Sequence, residues 1–302
     1  MTQPDVVRTA TVVAHYGVAV AVRLDSGALE RVRLPRRTSL VVGDRVEIRG
    51  ETLVRVEVSR GVLKRRDSHG RIRSVASNLD CLGIVLAPRP DSPVGFVDRG
   101  LVAAGAAGLS AFIVVNKSDL PGAAELHGTL EETYGAEVSA LLVSSVSGAG
   151  LNTLRSRLAA AGRGVFVGTS GVGKSSLFNA LLPELELAVG EINEVSGLGR
   201  HVTSTATLHA LPGGGEWIDT PGFRDFGPVE VSPAQLAAFF PGFESVLEGG
   251  CHFRDCLHRS EPGCCVLEGV GTGLIAAHRH AAYLSLLREL EDVLTSRSGG
   301  PK

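Results

Sequence analysis

Asn116-Lys117-Ser118-Asp119 comes before Gly168-Thr169-Ser170-Gly171-Val172-Gly173-Lys174-Ser175-Ser176 in this chain, and the fold turns on that order. The later stretch matches G-x-x-x-x-G-K-[ST]. It follows the apolar residues 164–167 and precedes a helical pattern from Lys174, which is the strand–loop–helix context the motif needs. Glycines permit the tight loop, backbone N–H groups surround phosphate oxygens, Lys174 reaches the terminal phosphates and Ser175 ligates Mg2+. Charge develops on those oxygens during phosphoryl transfer, so fixed donors and a lysine are required.

The earlier stretch follows apolar residues 111–115, again at a strand end. A carboxylate there accepts from both N1–H and the exocyclic amine of guanine, a donor pair that adenine lacks. Asp119 is therefore the expected base reader. Asn116 braces neighbouring loops and Lys117 lies along the base, with Ser118 between Lys117 and Asp119. Ser144-Ser145-Val146-Ser147-Gly148 is a weaker candidate for a loop whose backbone meets the guanine O6.

Asp219-Thr220-Pro221-Gly222 adds a D-x-x-G element 44 residues beyond Ser175. Asp219 ends a short strand and is placed to hold Mg2+ through water, while Gly222 offers an N–H to the γ-phosphate. A conventional GTPase runs phosphate loop, D-x-x-G, N-K-x-D. Joining its ends and opening the chain after the D-x-x-G strand produces the order seen here, a circular permutation that leaves both new ends as attachment points for flanking domains.

Between these motifs lies the polar loop Gly199-Arg200-His201-Val202-Thr203-Ser204-Thr205. Thr203 or Ser204 supplies a second hydroxyl for Mg2+. Phe223 occupies the position where many GTPases carry a water-positioning glutamine. His201 is the best local substitute, since a near-neutral imidazole can orient water. Arg200, a group from a partner, or a purely structural His201 are the competing readings.

Six apolar strand patterns (79–87, 111–115, 138–143, 164–167, 205–211 and 216–219) alternate with helical ones (97–107, 123–134, 150–160 and 174–181), as in a sheet covered on both faces. Upstream, residues 6–60 hold five short Val/Arg-rich runs broken by turn signals. They form a small closed all-β unit, by analogy an oligonucleotide-binding (OB) barrel, though an SH3-like barrel fits the same pattern. Residues 63–73 read as a basic linker. Beyond 229 the pattern is helical, with helices expected over 233–240 and 273–294.

The chain has 302 residues and a net charge of −2, but residues 1–75 hold 15 Lys/Arg against 8 Asp/Glu and the remainder 15 against 24. The N-terminal end is thus the one suited to phosphate backbones. No long uncharged apolar run argues for a membrane span, and the absence of a signal-like start leads to a cytosolic expectation. Of five cysteines, four crowd between Cys251 and Cys265. Cys251, Cys256, His258 and Cys264 follow C-x4-C-x-H-x5-C, a tetrahedral zinc set that leaves no open position, so the role is structural. His252 and Cys265 are adjacent rivals for ligation.

Taken together with Ala76-Ser77-Asn78-Leu79-Asp80 and Asp219 through Phe226, these motifs resemble the circularly permuted GTPases of small-ribosomal-subunit biogenesis, the RsgA/YjeQ family, over nearly the whole chain. The resemblance implies a multidomain protein: an OB-fold (1–62), the basic linker (63–73), a permuted P-loop GTPase domain (74–228) and a mainly helical zinc-binding domain (229–302). It also implies one structural Zn2+, Mg2+ with GTP or GDP, and GTP hydrolysis stimulated by the small (30S) subunit through 16S rRNA contacts. A cytoplasmic monomer is expected. Val202 stands where the family often has a threonine, which loosens the assignment of Thr203. A nucleotide-gated rRNA-binding module, or a P-loop kinase or ATPase with a zinc appendage, are the alternatives.

Overall fold

The computed structural model describes residues 6–36, 38–67, 69–182, 206–220 and 227–298. The chain divides into two units: Met1–Ser92 with Ala107–Asp225, and Pro93–Ala106 with Phe226–Lys302.

The first unit begins with five strands, β1 (Arg8–His15), β2 (Ala19–Leu24), β3 (Leu29–Arg33), β4 (Arg45–Arg49) and β5 (Thr52–Val56). They run in the order β1-β2-β3-β5-β4, and β4 pairs back onto β1 to close the barrel. Only β3 and β5 pair in parallel, an OB-like arrangement. Val12, Val20, Val22, Val32, Val46 and Ile48 fill the interior. Their β-branched side chains suit a pleated, enclosed surface.

Residues 63–73, read from sequence as a linker, are largely paired: β6 (Leu63–Arg66) and β7 (Ile72–Ala76) form an antiparallel hairpin. Asp67 organises its turn, accepting from the backbone N–H groups of His69 and Arg71. Arg-rich strands hide their pattern because both faces are charged.

The α/β sheet runs β10 (Ala140–Leu142), β9 (Ser110–Val115), β8 (Cys81–Leu86), β11 (Arg163–Val167), β13 (Glu216–Asp219), β12 (Thr207–Ala210). All pairs are parallel except β12 with β13. Helices α2 (Ala123–Tyr134), α3 (Leu151–Ala160) and α4 (Lys174–Leu181) belong to the same unit. Phe166 stacks on Trp217 at 4.4 Å between centroids, the centre of this core.

Barrel and sheet are fused. β1 pairs with β12 at Ala14↔Thr207, and Arg23 and Arg163 both bind the Glu216 carboxylate. Asn78, in a left-handed conformation, donates to Gly43 O at 2.9 Å. Gly43 itself cannot carry a side chain, since a Cβ would sit 2.1 Å from Ser77 O. The Ala76-Ser77-Asn78-Leu79-Asp80 motif is thus the junction between barrel and sheet.

The second unit contains α1 (Phe96–Ala106), a 3-10 turn at Pro233–Gln235 and four further helices. These are α5 (Leu236–Phe239), α6 (Glu244–Leu247), α7 (Cys265–Thr272) and α8 (Ala277–Ser298). Two sequence expectations change here. The helix expected over 97–107 forms, but it packs in this unit, where buried Asp98 binds Arg279 at 2.6 Å and Val102 joins the core of Phe240, Phe243 and Tyr283. The expected start at 273 is instead the end of α7, because Gly273 adopts a left-handed conformation. No helix among the described residues is long and apolar enough to cross a membrane.

Candidate nucleotide site and metal centre

The phosphate loop connects β11 to α4, and its last glycine is sterically fixed. Gly173 has φ +94°, and a Cβ there would lie 2.3 Å from Asn116 Nδ2. Lys174 Nζ crosses back over the loop, donating to Gly168 O at 2.6 Å and Thr169 O at 3.1 Å. Ser170, Ser175 and Ser176 are exposed, while Val172 anchors the loop in the core.

Asn116 is fully buried at the end of β9. Its Nδ2 donates to Val172 O at 2.9 Å, and its Oδ1 accepts from Ser145 N at 3.2 Å. One amide therefore ties three loops together. Lys117, at φ +61°, sends Nζ to Gly171 O at 2.6 Å and Arg89 O at 2.8 Å. Strained backbone of this kind survives only where surrounding bonds over-determine it. Ser118 N donates to Val143 O at 2.9 Å. The Ser144 hydroxyl donates to Asp119 and itself accepts from Val146 N and Ser147 N, which fixes one oxygen of the Asp119 carboxylate. The sequence reading assigned Ser144 no such part, although its S-S-x-S spacing allows the hydroxyl to serve two N–H groups at once.

Asp219 ends β13, next to β11 in the sheet. Burial pushes its carboxyl above the usual range, opposed by the charge of Lys174. His201, Thr203 and Gly222 lie outside the described residues, as do Phe223, Arg200 and Ser204.

In the second unit, Cys251, Cys256, His258 and Cys264 place their donor atoms within 4.8 Å of one another, a cluster able to hold a metal ion. His258 Nδ1 lies 3.5, 3.6 and 3.3 Å from the sulfurs of Cys251, Cys256 and Cys264. Zn–S bonds near 2.3 Å and Zn–N bonds near 2.0 Å give tetrahedral N–S edges of about 3.5 Å, so the donor set fits that ion. Burial raises the Cys256 and Cys264 thiols above their ordinary range, so an ion held there would have to drive their deprotonation.

Glu261 shapes the loop that carries His258. Its carboxylate accepts from the backbone N–H groups of Leu257, Arg259 and Ser260 at 2.7–3.0 Å. Those bonds hold the carboxyl down at about 2 despite the opposing effect of burial, and they support the left-handed φ of +57° at His258. The sequence reading gave Glu261 no role. Its position between His258 and Pro262-Gly263 is the only signal, and it is weak.

Comparison with known proteins agrees with this geometry. The RsgA GTPase family matches residues 56–228. The "Small ribosomal subunit biogenesis GTPase RsgA" of Pseudomonas savastanoi pv. phaseolicola is 41% identical over 299 residues, covering 94% of this chain and 86% of that protein. Its counterpart in Pseudomonas fluorescens Pf-5 is 42% identical at the same coverage. Among solved structures, YjeQ from Thermotoga maritima superposes with a TM-score of 0.74 at 29% identity, covering 94% of this chain and 99% of that one. YloQ, described as a circularly permuted GTPase, superposes at 0.71 and 22% identity, covering 97% and 98%, and speaks to the fold. With a permuted nucleotide site, a Cys3His cluster and relatives of this closeness over nearly all its length, the chain belongs to the RsgA family of circularly permuted GTPases.

Proposed function

We propose that this chain hydrolyses GTP in the service of small-ribosomal-subunit biogenesis, the activity its family relatives are named for. The observation that carries the reading is Asn116, which bonds Val172 O and Ser145 N and so assembles base loop and phosphate loop in spite of their reversed order. Asn116, Lys117, Ser118 and Asp119 would hold the guanine. The loop from Gly168 through Ser176 would hold the phosphates. Ser175 and Asp219 offer the hard oxygen donors that Mg2+ prefers. Among the described residues, buried Thr169 Oγ1 and Thr220 Oγ1 have no hydrogen-bond partner, which suits a site completed by phosphate oxygens and hydrated metal. When bound, Mg2+ neutralises charge building on the phosphates. His201 is proposed to orient water and Thr203 to supply the switch hydroxyl, with Gly222 donating to the γ-phosphate.

Cys251, Cys256, His258 and Cys264 are proposed as ligands of one structural Zn2+. Four protein donors leave no position for substrate. The working partners are the 30S subunit and its 16S rRNA, met by the basic barrel end and the metal domain of a cytoplasmic monomer. The proposed domain limits are 1–62, 74–228 and 229–302, with residues 63–73 forming most of the β6–β7 hairpin between the first two and α1 belonging to the helical unit.

Two measurements test this. Asp119→Asn replaces an acceptor facing guanine by an amide donor, which complements the 2-oxo group of xanthine. We expect on the order of 100-fold loss of GDP affinity with a gain for xanthosine diphosphate. Unchanged GDP binding would remove Asp119 as base reader. GTP turnover with and without isolated small subunits addresses the rest: no stimulation would favour a nucleotide-gated RNA-binding module in which turnover is incidental.

A further inference from the structure

Cys265 stands outside the four-donor cluster, yet its Sγ lies 3.2 Å from Sγ of Cys251, a member of that cluster. Of the two adjacent cysteines, only Cys264 belongs to the four-donor cluster. Cys264 meets His258 Nδ1 at 3.3 Å, whereas Cys265, which opens α7, meets Cys251. Cys251 is the half-buried member of a set whose other three are buried. The donor that an oxidant in solution reaches most readily is therefore the one backed by a spare thiol.

We propose that Cys251 and Cys265 form a thiol–disulfide switch that opens the metal centre on exposure to a peroxide. The proposal rests on the reading of the cluster as a zinc site. Cys251 sulfur attacks one oxygen of hydrogen peroxide: the S–O bond forms, the O–O bond breaks, and the departing hydroxide takes a proton to become water. Cys265 sulfur then attacks the sulfenic sulfur: the S–S bond forms, the S–O bond breaks, and the second oxygen leaves as water with the thiol proton. Two thiols are oxidised by two electrons and one peroxide is reduced to two waters. Closing 3.2 Å to a disulfide of about 2.0 Å is a side-chain movement. Only three donors then remain for the ion, which is released. Without Cys265 a sulfenic acid at Cys251 passes on to the sulfinic state, which thiol reductants do not reverse.

The test uses the full chain as purified, with zinc content measured first. Peroxide is added, zinc release is followed with a chromophoric chelator, and disulfides are mapped by peptide mass spectrometry. Dithiothreitol and Zn2+ are then returned. We expect a Cys251–Cys265 bridge to accompany release and most binding to be recovered. Cys265→Ala should take up zinc normally, yet recover about fivefold less of it after the same cycle. A Cys256–Cys264 bridge in its place, or full recovery by Cys265→Ala, would overturn the switch. If Cys265→Ala fails to fold, the bridge mapped in the unsubstituted chain still decides. A chain purified without zinc that forms the same bridge would refute the metal reading and support the pair. A zinc-loaded chain that loses zinc without that bridge refutes the pair.

Discussion

In the nucleotide site Asn116 reaches Val172 across 56 residues of chain, whereas all four donors of the metal centre lie between Cys251 and Cys264. The first site exists only because β8, β9 and β11 hold register with one another, so its geometry is the geometry of the sheet. The second needs one short loop, shaped by Glu261, which brings two buried sulfurs, a buried imidazole and the half-buried Cys251 sulfur together. One site is built by non-local packing and the other from donors carried on a single short segment. They should therefore fail for different reasons.

The largest expected effect comes from removing the metal. Structural zinc contributes on the order of 10–16 kcal/mol in small zinc domains, far above what the short helices α5 and α6 can replace. Chelation, or Cys256→Ser, should abolish the calorimetric transition of the helical unit. GDP affinity should stay within about threefold, since no cluster residue belongs to the nucleotide loops. If chelation weakened nucleotide binding as strongly as damage to Asn116, the division between the sites would collapse.

Asn116→Ala probes the other side. It leaves buried Val172 O and Ser145 N without their partner, a loss of about 2–3 kcal/mol, or roughly 100-fold in GDP affinity by titration calorimetry. Zinc content should not change. A retained GDP affinity would mean that register alone aligns the loops.

The same contrast governs what could be read before the structure. The central strands β8, β9 and β11 are the plainest apolar runs, since buried parallel strands have no polar alternation to blur. The phosphate-loop and Cys3His motifs are both visible because phosphate binding and metal ligation demand fixed residue types at fixed spacing. Allegiance was illegible: α1 has the apolar stripe of any crossover helix, and nothing in residues 96–106 announces that Asp98 will find Arg279 some 181 residues later. The β6–β7 hairpin was hidden because Arg65 and Arg73 oppose each other where alternation would place an apolar pair. Clues to supporting residues are similarly faint. Ser144 and Glu261 act through backbone N–H groups, which carry no sequence signature.

Acid offers a graded way to separate the units. His209, buried on β12, is pushed down to about 4 by loss of solvent. Its folded value lies below the ordinary 6.5, so the neutral ring's contribution is intact above pH 6.5 and is lost as pH falls toward 4. Urea unfolding followed at Trp217, the chain's single tryptophan and the cross-strand neighbour of His209, should lose about 2 kcal/mol between pH 7 and pH 5 from this group. In His209→Gln that increment should vanish. An unchanged pH dependence would place the acid sensitivity elsewhere.

The smallest effect concerns the basic end of the molecule, and the structure changes how it must be tested. Deleting the barrel would strip β12 of its partner β1, remove Arg23 from Glu216 and expose the Asn78 junction. Lost RNA binding could then reflect nothing more than a damaged sheet. Arg65 and Arg71, both exposed on the hairpin, can be neutralised without touching the core. Each phosphate contact contributes about 0.9 to the slope of log affinity against log salt. Arg65→Gln with Arg71→Gln should therefore flatten that slope for small-subunit binding by between one and two, at unchanged GDP affinity. An unaltered slope would remove the hairpin from the RNA-facing surface and leave its charge as solvation alone.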